Sequence, residues 1–163
     1  MFVLRLTQTL LKDMKATPSE IDEMSPLLSW HANIYALNNR KHIIFINDLS
    51  RLCVIIDGVR SSQLTKLKEK FSSTLLTYLI NEGIKRSQID LYLRDGSEIT
   101  IAKTNSRSVL GTMKEITIHT TDTRLEFKDP IARMKWLNRL IYKPIEYQQP
   151  IKVFKEAIQN RYS

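Results

Sequence analysis

Two periodicities divide the chain. From Leu28 to Asp57 apolar and polar residues alternate in three short runs, separated by Asn38-Asn39-Arg40-Lys41 and by Asp48-Leu49-Ser50-Arg51, both carrying turn-favouring residues. That pattern predicts an antiparallel meander. From Ser61 the spacing becomes helical: Leu64, Leu67, Phe71, Leu75, Tyr78 and Leu79 recur on one face, with Lys66, Lys70 and Thr74 opposite, until Asn81-Glu82-Gly83 closes the run. Phe71 and Leu75 sit at the centre of that stripe and are expected in the core.

The flanking segments fit the same scheme. Phe2–Leu6 reads as a short strand, and Thr7 as the N-cap of an amphipathic segment holding Leu10, Leu11 and Met14, with a loop at Ala16-Thr17-Pro18. Gln88 to Arg94 predicts a short helix, and Glu98 to Lys103 alternates as a strand after Asp95-Gly96. Thr104-Asn105-Ser106 caps a helix through Val109, Leu110 and Met113. Asp129-Pro130 opens another, Asp as N-cap and Pro at the first helical position, running to about Tyr142 with Ile131, Met134, Leu137 and Ile141 inward. Pro150 to Arg161 presents Ile151, Phe154 and Ile158. The expected fold class is therefore α+β: a small antiparallel sheet near the N-terminus packed against helices, and a helical C-terminal part. Residues 1–145 read as a single domain and residues 146–163 as an amphipathic helix docked on it.

Composition narrows the class. A chain of 163 residues, 42% hydrophobic and 26% charged, with four Gly and five Pro, buries a core without metal or disulfide. Cys53 is the single cysteine and lies in the apolar run Leu52-Cys53-Val54-Ile55-Ile56, the place of a buried, inert thiol. The segment from Met1 to Lys15 lacks the apolar stretch of a signal peptide, and no later run approaches a membrane span, so a cytoplasmic protein with no membrane partner is expected. Net charge is balanced over residues 1–50, +3 over 51–103 and +5 over 104–163. Lysine and arginine on one face can release counterions from phosphate, so this asymmetry points to nucleic acid or an acidic protein as partner.

Candidate chemistry concentrates between Ser29 and Asp48. Trp30, Ala32, Ile34 and Ala36 share one side of the first meander strand, with Trp30 expected in the core, and His31, Asn33 and Tyr35 share an unusually polar second side. A two-residue turn at Asn39-Arg40 would pair Leu37 with His42, Tyr35 with Ile44, Asn33 with Ile46 and His31 with Asp48. A carboxylate accepting from a histidine ring fixes its tautomer and raises its basicity, as a general base requires; a structural histidine near a strand end uses the same contact. Asn33 and Asn47 can equally satisfy loose backbone at a sheet edge. Arg40, Lys41 and Arg51, in the two turns, are candidate binding residues beside this face.

The basic second half offers another surface. Lys135, Arg139 and Lys143 fall at four-residue spacing beside Trp136, with Arg133 two residues before Lys135, an arrangement suited to phosphate contact and base stacking as well as to an ordinary solvated helix face. Arg107, among Asn105, Ser106 and Ser108 at a helix start, could help to bind an anion or pair with Glu98. His31, His42 and His119 lack zinc-site spacing, and no phosphate loop, dinucleotide fingerprint or serine nucleophile elbow occurs, so neither a metal nor a cofactor is expected.

Leu4-Arg5-Leu6-Thr7, Leu28-Ser29-Trp30-His31-Ala32-Asn33, Asn39-Arg40-Lys41, Phe45-Ile46-Asn47-Asp48, Thr104-Asn105-Ser106-Arg107 and Gly111-Thr112-Met113, in this order, resemble an uncharacterised family of small bacterial domains. Its members occur alone or beside domains of a plasmid-borne open-reading-frame type and have no assigned activity. The resemblance covers about residues 1–115. It implies a bacterial or phage origin and an α+β domain, and it brings no catalytic residue. The expected function is a non-enzymatic binding module of a bacterium or mobile element that engages nucleic acid or an acidic protein. The alternative is a small hydrolase or nuclease-type toxin using His31 with Asp48 or Arg107.

Overall fold

Strand β1 (Phe2–Leu6) is buried along its whole length, with Phe2, Leu4 and Leu6 facing one side and Val3 and Arg5 the other, which is the position of an interior strand. It lies between β2 (Ser29–Leu37) and β5 (Ile99–Lys103), parallel to both, in a five-stranded sheet of order β4-β3-β2-β1-β5. β2, β3 (Arg40–Asn47) and β4 (Cys53–Asp57) form the antiparallel meander. The class is α+β as expected, but the sheet is mixed. Strands joined by tight turns pair antiparallel, whereas the links from β1 to β2 and from β4 to β5 carry helices and return in parallel. The computed structural model describes residues 1–58, 64–122, 126–127 and 129–163, so the helix start assigned to Ser61 lies outside the described residues.

Both faces of the sheet are covered. On one, Phe2, Leu4, Trp30, Ile43, Phe45 and Val54 pack against α1 (Gln8–Asp13), α2 (Leu64–Asn81), α3 (Arg86–Asp95) and α6 (Pro150–Tyr162). Phe71 is the hub of this core, its ring centroid 4.4 Å from Phe45, 5.2 Å from Trp30 and 6.0 Å from Phe2. α6 contributes Ile151, Phe154 and Ile158 to the same core. On the other face Ile44, Ile46, Cys53 and Ile55 meet Val109, Met113 and Ile116 of α4 (Arg107–Thr120), with Leu137 of α5 (Pro130–Leu137), Tyr142 and Ile145. Burial pushes the Cys53 thiol up to about 12 against the opposing Arg133 charge, as an inert core residue requires. Gly96 follows α3 at a position where a Cβ would lie 2.3 Å from the Phe2 ring.

Two boundaries differ from the sequence pattern. The β2–β3 turn is Asn38-Asn39, not Asn39-Arg40: both asparagines are left-handed, with φ of 52° and 62°, a conformation that Asn tolerates far better than Arg. Leu37 therefore pairs with Arg40, Tyr35 with His42 and His31 with Ile46. Helix α5 stops at Leu137, five residues short of Tyr142, and Ile141 is 60% exposed instead of facing inward. The cause is Asn138, whose side chain leaves the helix path to accept from the Cys53 N–H at 2.7 Å and to donate to the Cys53 carbonyl at 3.0 Å. In this way one side chain closes part of the outer edge of β4.

Candidate functional site

The register shift is two residues, which keeps every side chain on its original face, so His31 and Asp48 still meet, now as diagonal neighbours. Asp48 continues the ladder past β3, its N–H donating to the Ser29 carbonyl at 2.9 Å. The His31 Nδ1 lies 2.7 Å from Asp48 Oδ1, and the Asn105 backbone N–H donates to Nε2 at 3.2 Å. Nε2 is thus an acceptor and Nδ1 carries the proton that Asp48 receives. The ring is fully buried. Asp48 orients it as anticipated for a general base, yet the lone pair that such a base would use holds the loop between β5 and α4.

Around this ring the parallel strands end. β1 and β5 stop at Leu6 and Lys103 while β2 runs on, and the side of an open sheet beyond such carboxyl ends is where ligands bind in α/β proteins. Arg5 lies beside His31 in the β1–β2 register and donates to the Lys103 carbonyl at 3.0 Å. Arg51, left-handed at φ 63° in the β3–β4 turn, donates from Nη1 to the Asp48 carbonyl and from Nη2 to Ser108 Oγ at 2.8 Å. Burial pulls its guanidinium below the ordinary value, with the Asp48 charge opposing. The turn itself is tied by Asn47, which accepts from the Ser50 N–H and hydroxyl and donates to the Leu27 carbonyl. Asn33 accepts from the Thr7 hydroxyl and its neighbour's N–H. The two asparagines thus satisfy backbone and turn groups. Clefts lined by Lys85, Gln88 and Lys155, by Lys68, Ser72 and Leu93, and by Ile55, Lys70 and Met134 share no residue with this cluster.

The remaining candidates are dispersed. Arg40 is exposed at the hairpin turn, and Lys41 pairs with Asp13 at 2.5 Å. Arg107 opens α4 two residues from Asn105 and is exposed; it makes no ion pair with Glu98, which lies at the opposite end of β5. Arg133 donates to both Asp57 oxygens at 2.9 Å, and Asp57 also receives His42 Nδ1 at 2.6 Å, a second histidine–carboxylate pair. The sequence pattern missed that pair, which comes from the β3–β4 register that sets His42 opposite Asp57, whereas the Asn-Asn turn sets His42 opposite Tyr35, on which it stacks at 5.1 Å. Arg5 was missed as well, and its signal was an arginine inside the otherwise apolar strand FVLRL. Lys135 is half-buried, and Trp136, at the surface, packs edge-on to His119 with centroids 5.9 Å apart. Arg139 and Lys143 lie beyond the helix, so the four-residue basic stripe does not form.

Arg139 instead forms two hydrogen bonds with Glu82, at 2.7 and 2.9 Å, and Tyr78 Oη donates to the same carboxylate. Burial pushes the Glu82 carboxyl up, but the hydrogen bonds from Arg139 and Tyr78 and the nearby positive charges outweigh it, leaving Glu82 below its ordinary value. Breaking a fully buried pair costs about 3–5 kcal/mol. The Glu82 side chain is 2% exposed but that of Arg139 is 43% exposed, so solvent screening reduces the expectation. Arg139→Met should then cost ~2 kcal/mol at neutral pH. Because the folded-state value is depressed, the wild-type contribution is complete above the unfolded value near ~4.3 and is lost as pH falls through the folded one. Denaturation midpoints of the two proteins should therefore converge on acidification; a gap that persists in acid would show that Arg139 stabilises by packing alone.

Fold and site together describe an α+β domain in which a mixed sheet carries a buried polar cluster at the carboxyl ends of its parallel strands. The chain belongs to the family described as a domain of unknown function, DUF6933, whose model matches residues 3–153. The match runs from β1 into α6, so the helices beyond Glu115 belong to the family unit, further than the motifs alone reach. No curated protein matches the chain. Among the described residues no group of three or more His, Cys, Asp and Glu is placed to hold a metal ion, and no helix is long and apolar enough to cross a membrane.

Proposed function

We propose that the protein is a non-enzymatic binding module of a bacterium or mobile element, working in the cytoplasm, that engages nucleic acid through the basic face of its C-terminal half, an acidic protein being the other partner of matching charge. The observation that carries this reading is the outer face of α4. Arg107 and Lys114 are exposed there two turns apart, Lys103 is exposed just before them, and none of the three meets a carboxylate among the described residues. Arg133 and Arg139 are spent on Asp57 and Glu82, so the phosphate contacts move from α5 to α4, with Lys135 and Trp136 as flanking contributors. His31 supports the same side of the choice: turnover with Asp48 or Arg107 would require its Nε2 to leave the Asn105 N–H.

The test is anisotropy of labelled duplex and single-stranded DNA across a salt series. The wild type should bind at low salt with an affinity that falls steeply as salt rises. Arg107→Ala/Lys114→Ala should flatten the logarithmic slope for duplex by about two units, roughly 0.9 for each phosphate that is no longer neutralised. No binding at low salt would overturn the nucleic-acid reading and leave the acidic protein.

A further inference from the structure

The outer face of α4 changes character along its length. Arg107, Gly111, Lys114 and Ile118 succeed one another at steps of four, three and four residues, so they form one row on the helix, and all four are exposed. The row carries two cations and ends on a bare aliphatic side chain, Ile118 being 61% exposed. Beside that end, next to His119, stands Trp136 of α5, 37% exposed. The rings of His119 and Phe127 lie against it at centroid distances of 5.9 and 5.6 Å, edge-on and tilted, and brace the indole without enclosing it.

Gly111 is a separate observation on the same row. A glycine inside a helix weakens that helix relative to alanine. Among the described residues a Cβ at this position would meet nothing within 4 Å, so packing within the fold does not require the glycine. It leaves a notch between Arg107 and Lys114 where an incoming chain can approach the helix backbone.

We propose that this face binds a single strand of nucleic acid in preference to a duplex, with phosphates on Arg107 and Lys114 across Gly111 and a base stacked on Trp136 beside Ile118. Cations alone satisfy a duplex, whose base faces are stacked inside and which offers a protein only its backbone and groove edges. A single strand turns its base faces outward, and these stack on aromatic side chains whatever the sequence. An acidic peptide matches the two cations but brings no obligatory ring to the indole. Glu115 is exposed on the neighbouring row with Ser108 and His119, and its charge repels phosphate from that side, which keeps the backbone on the Arg107–Lys114 row and turns the bases towards Trp136. The inference rests on the nucleic-acid reading and adds to it the strandedness of the ligand and a stacking residue.

The experiment follows the tryptophan fluorescence of the full chain at low salt during titration with oligothymidylate, with a duplex of the same length and with polyglutamate. Trp30 and Trp136 are the two tryptophans and Trp30 is wholly buried, so quenching by a stacked base reports on Trp136. Oligothymidylate should quench saturably and bind about tenfold tighter than the duplex, the scale of one stacked base. Trp136→Ala, read by anisotropy of the labelled strand, should lose that tenfold with a smaller effect on the duplex and an unchanged salt slope, because a stacked base releases no counterion. Trp136→Phe should recover most of the loss. Gly111→Gln, a better helix former that fills the notch, should weaken single-strand binding severalfold without lowering the denaturation midpoint. Equal affinity for the two DNAs without quenching, still lost in Arg107→Ala/Lys114→Ala, overturns the single-strand proposal and keeps the nucleic-acid reading. Single-strand affinity unchanged in Trp136→Ala or in Gly111→Gln overturns it as well. Binding of neither DNA at low salt overturns both, and quenching by polyglutamate alone gives the face to an acidic protein.

Discussion

Phe71→Ala should lower the free energy of unfolding by ~3–5 kcal/mol, the range for deleting a buried aromatic ring and leaving a cavity. Phe71 is wholly buried and stands at the junction of β1, β2 and β3, touching Phe2, Trp30 and Phe45. Collapse around the vacated ring is resisted from two sides. The strands are held by their hydrogen-bond ladder, and α2 is held by Leu67, Leu75, Tyr78 and Leu79, all buried along the same stripe. A denaturant titration reads the loss as a lower midpoint with an unchanged slope. An unchanged midpoint would mean that the face of α2 carrying Phe71 does not support the sheet.

Asn138→Ala should cost ~2–5 kcal/mol, by a different mechanism. The Asn138 side chain is fully buried and makes three hydrogen bonds: to the Cys53 N–H and carbonyl, and from Nδ2 to Tyr78 Oη at 2.9 Å. It stands in for a neighbouring strand on the edge of β4, and alanine leaves both Cys53 backbone groups without a partner in the interior, each at a cost of about 1–3 kcal/mol. Amide exchange at Cys53 should accelerate beyond the global loss of stability. If the Cys53 amide stays protected relative to Ile44 in the sheet centre, another group closes that edge.

Local pattern was enough for much of this architecture. β1 spans the predicted Phe2–Leu6, Thr7 caps α1, Ser106 caps α4, Asp129-Pro130 opens α5, and the face of α2 carrying Phe71 and Leu75 is the buried one. Each of these rests on residues within one or two turns of each other: an alternation, a capping side chain, a helical repeat. The His31–Asp48 contact was also legible, for an incomplete reason. A misplaced turn shifted the ladder by two residues, and a period of two forgives that error.

What lay beyond the sequence depended on contacts between distant residues. The end of α5 was decided by Cys53, eighty-five positions away, because a buried strand edge competes successfully for the amide of Asn138. Whether an arginine is free or paired is likewise invisible in a pattern. Arg133 and Arg139 share the basic C-terminal half with Arg107, yet only Arg107 escapes a carboxylate, since Asp57 and Glu82 are brought to the other two by the sheet and by α2. The parallel placement of β1 between β2 and β5 had no local signature, as it is set by which crossovers the helices can span. That placement puts Arg5 beside His31 and the start of α4 over Arg51, so the candidate site exists only once the strands are assembled. Residues 5, 31, 51 and 108 carry no spacing that would join them, and their chemistry comes from burial and proximity, which a linear pattern does not encode.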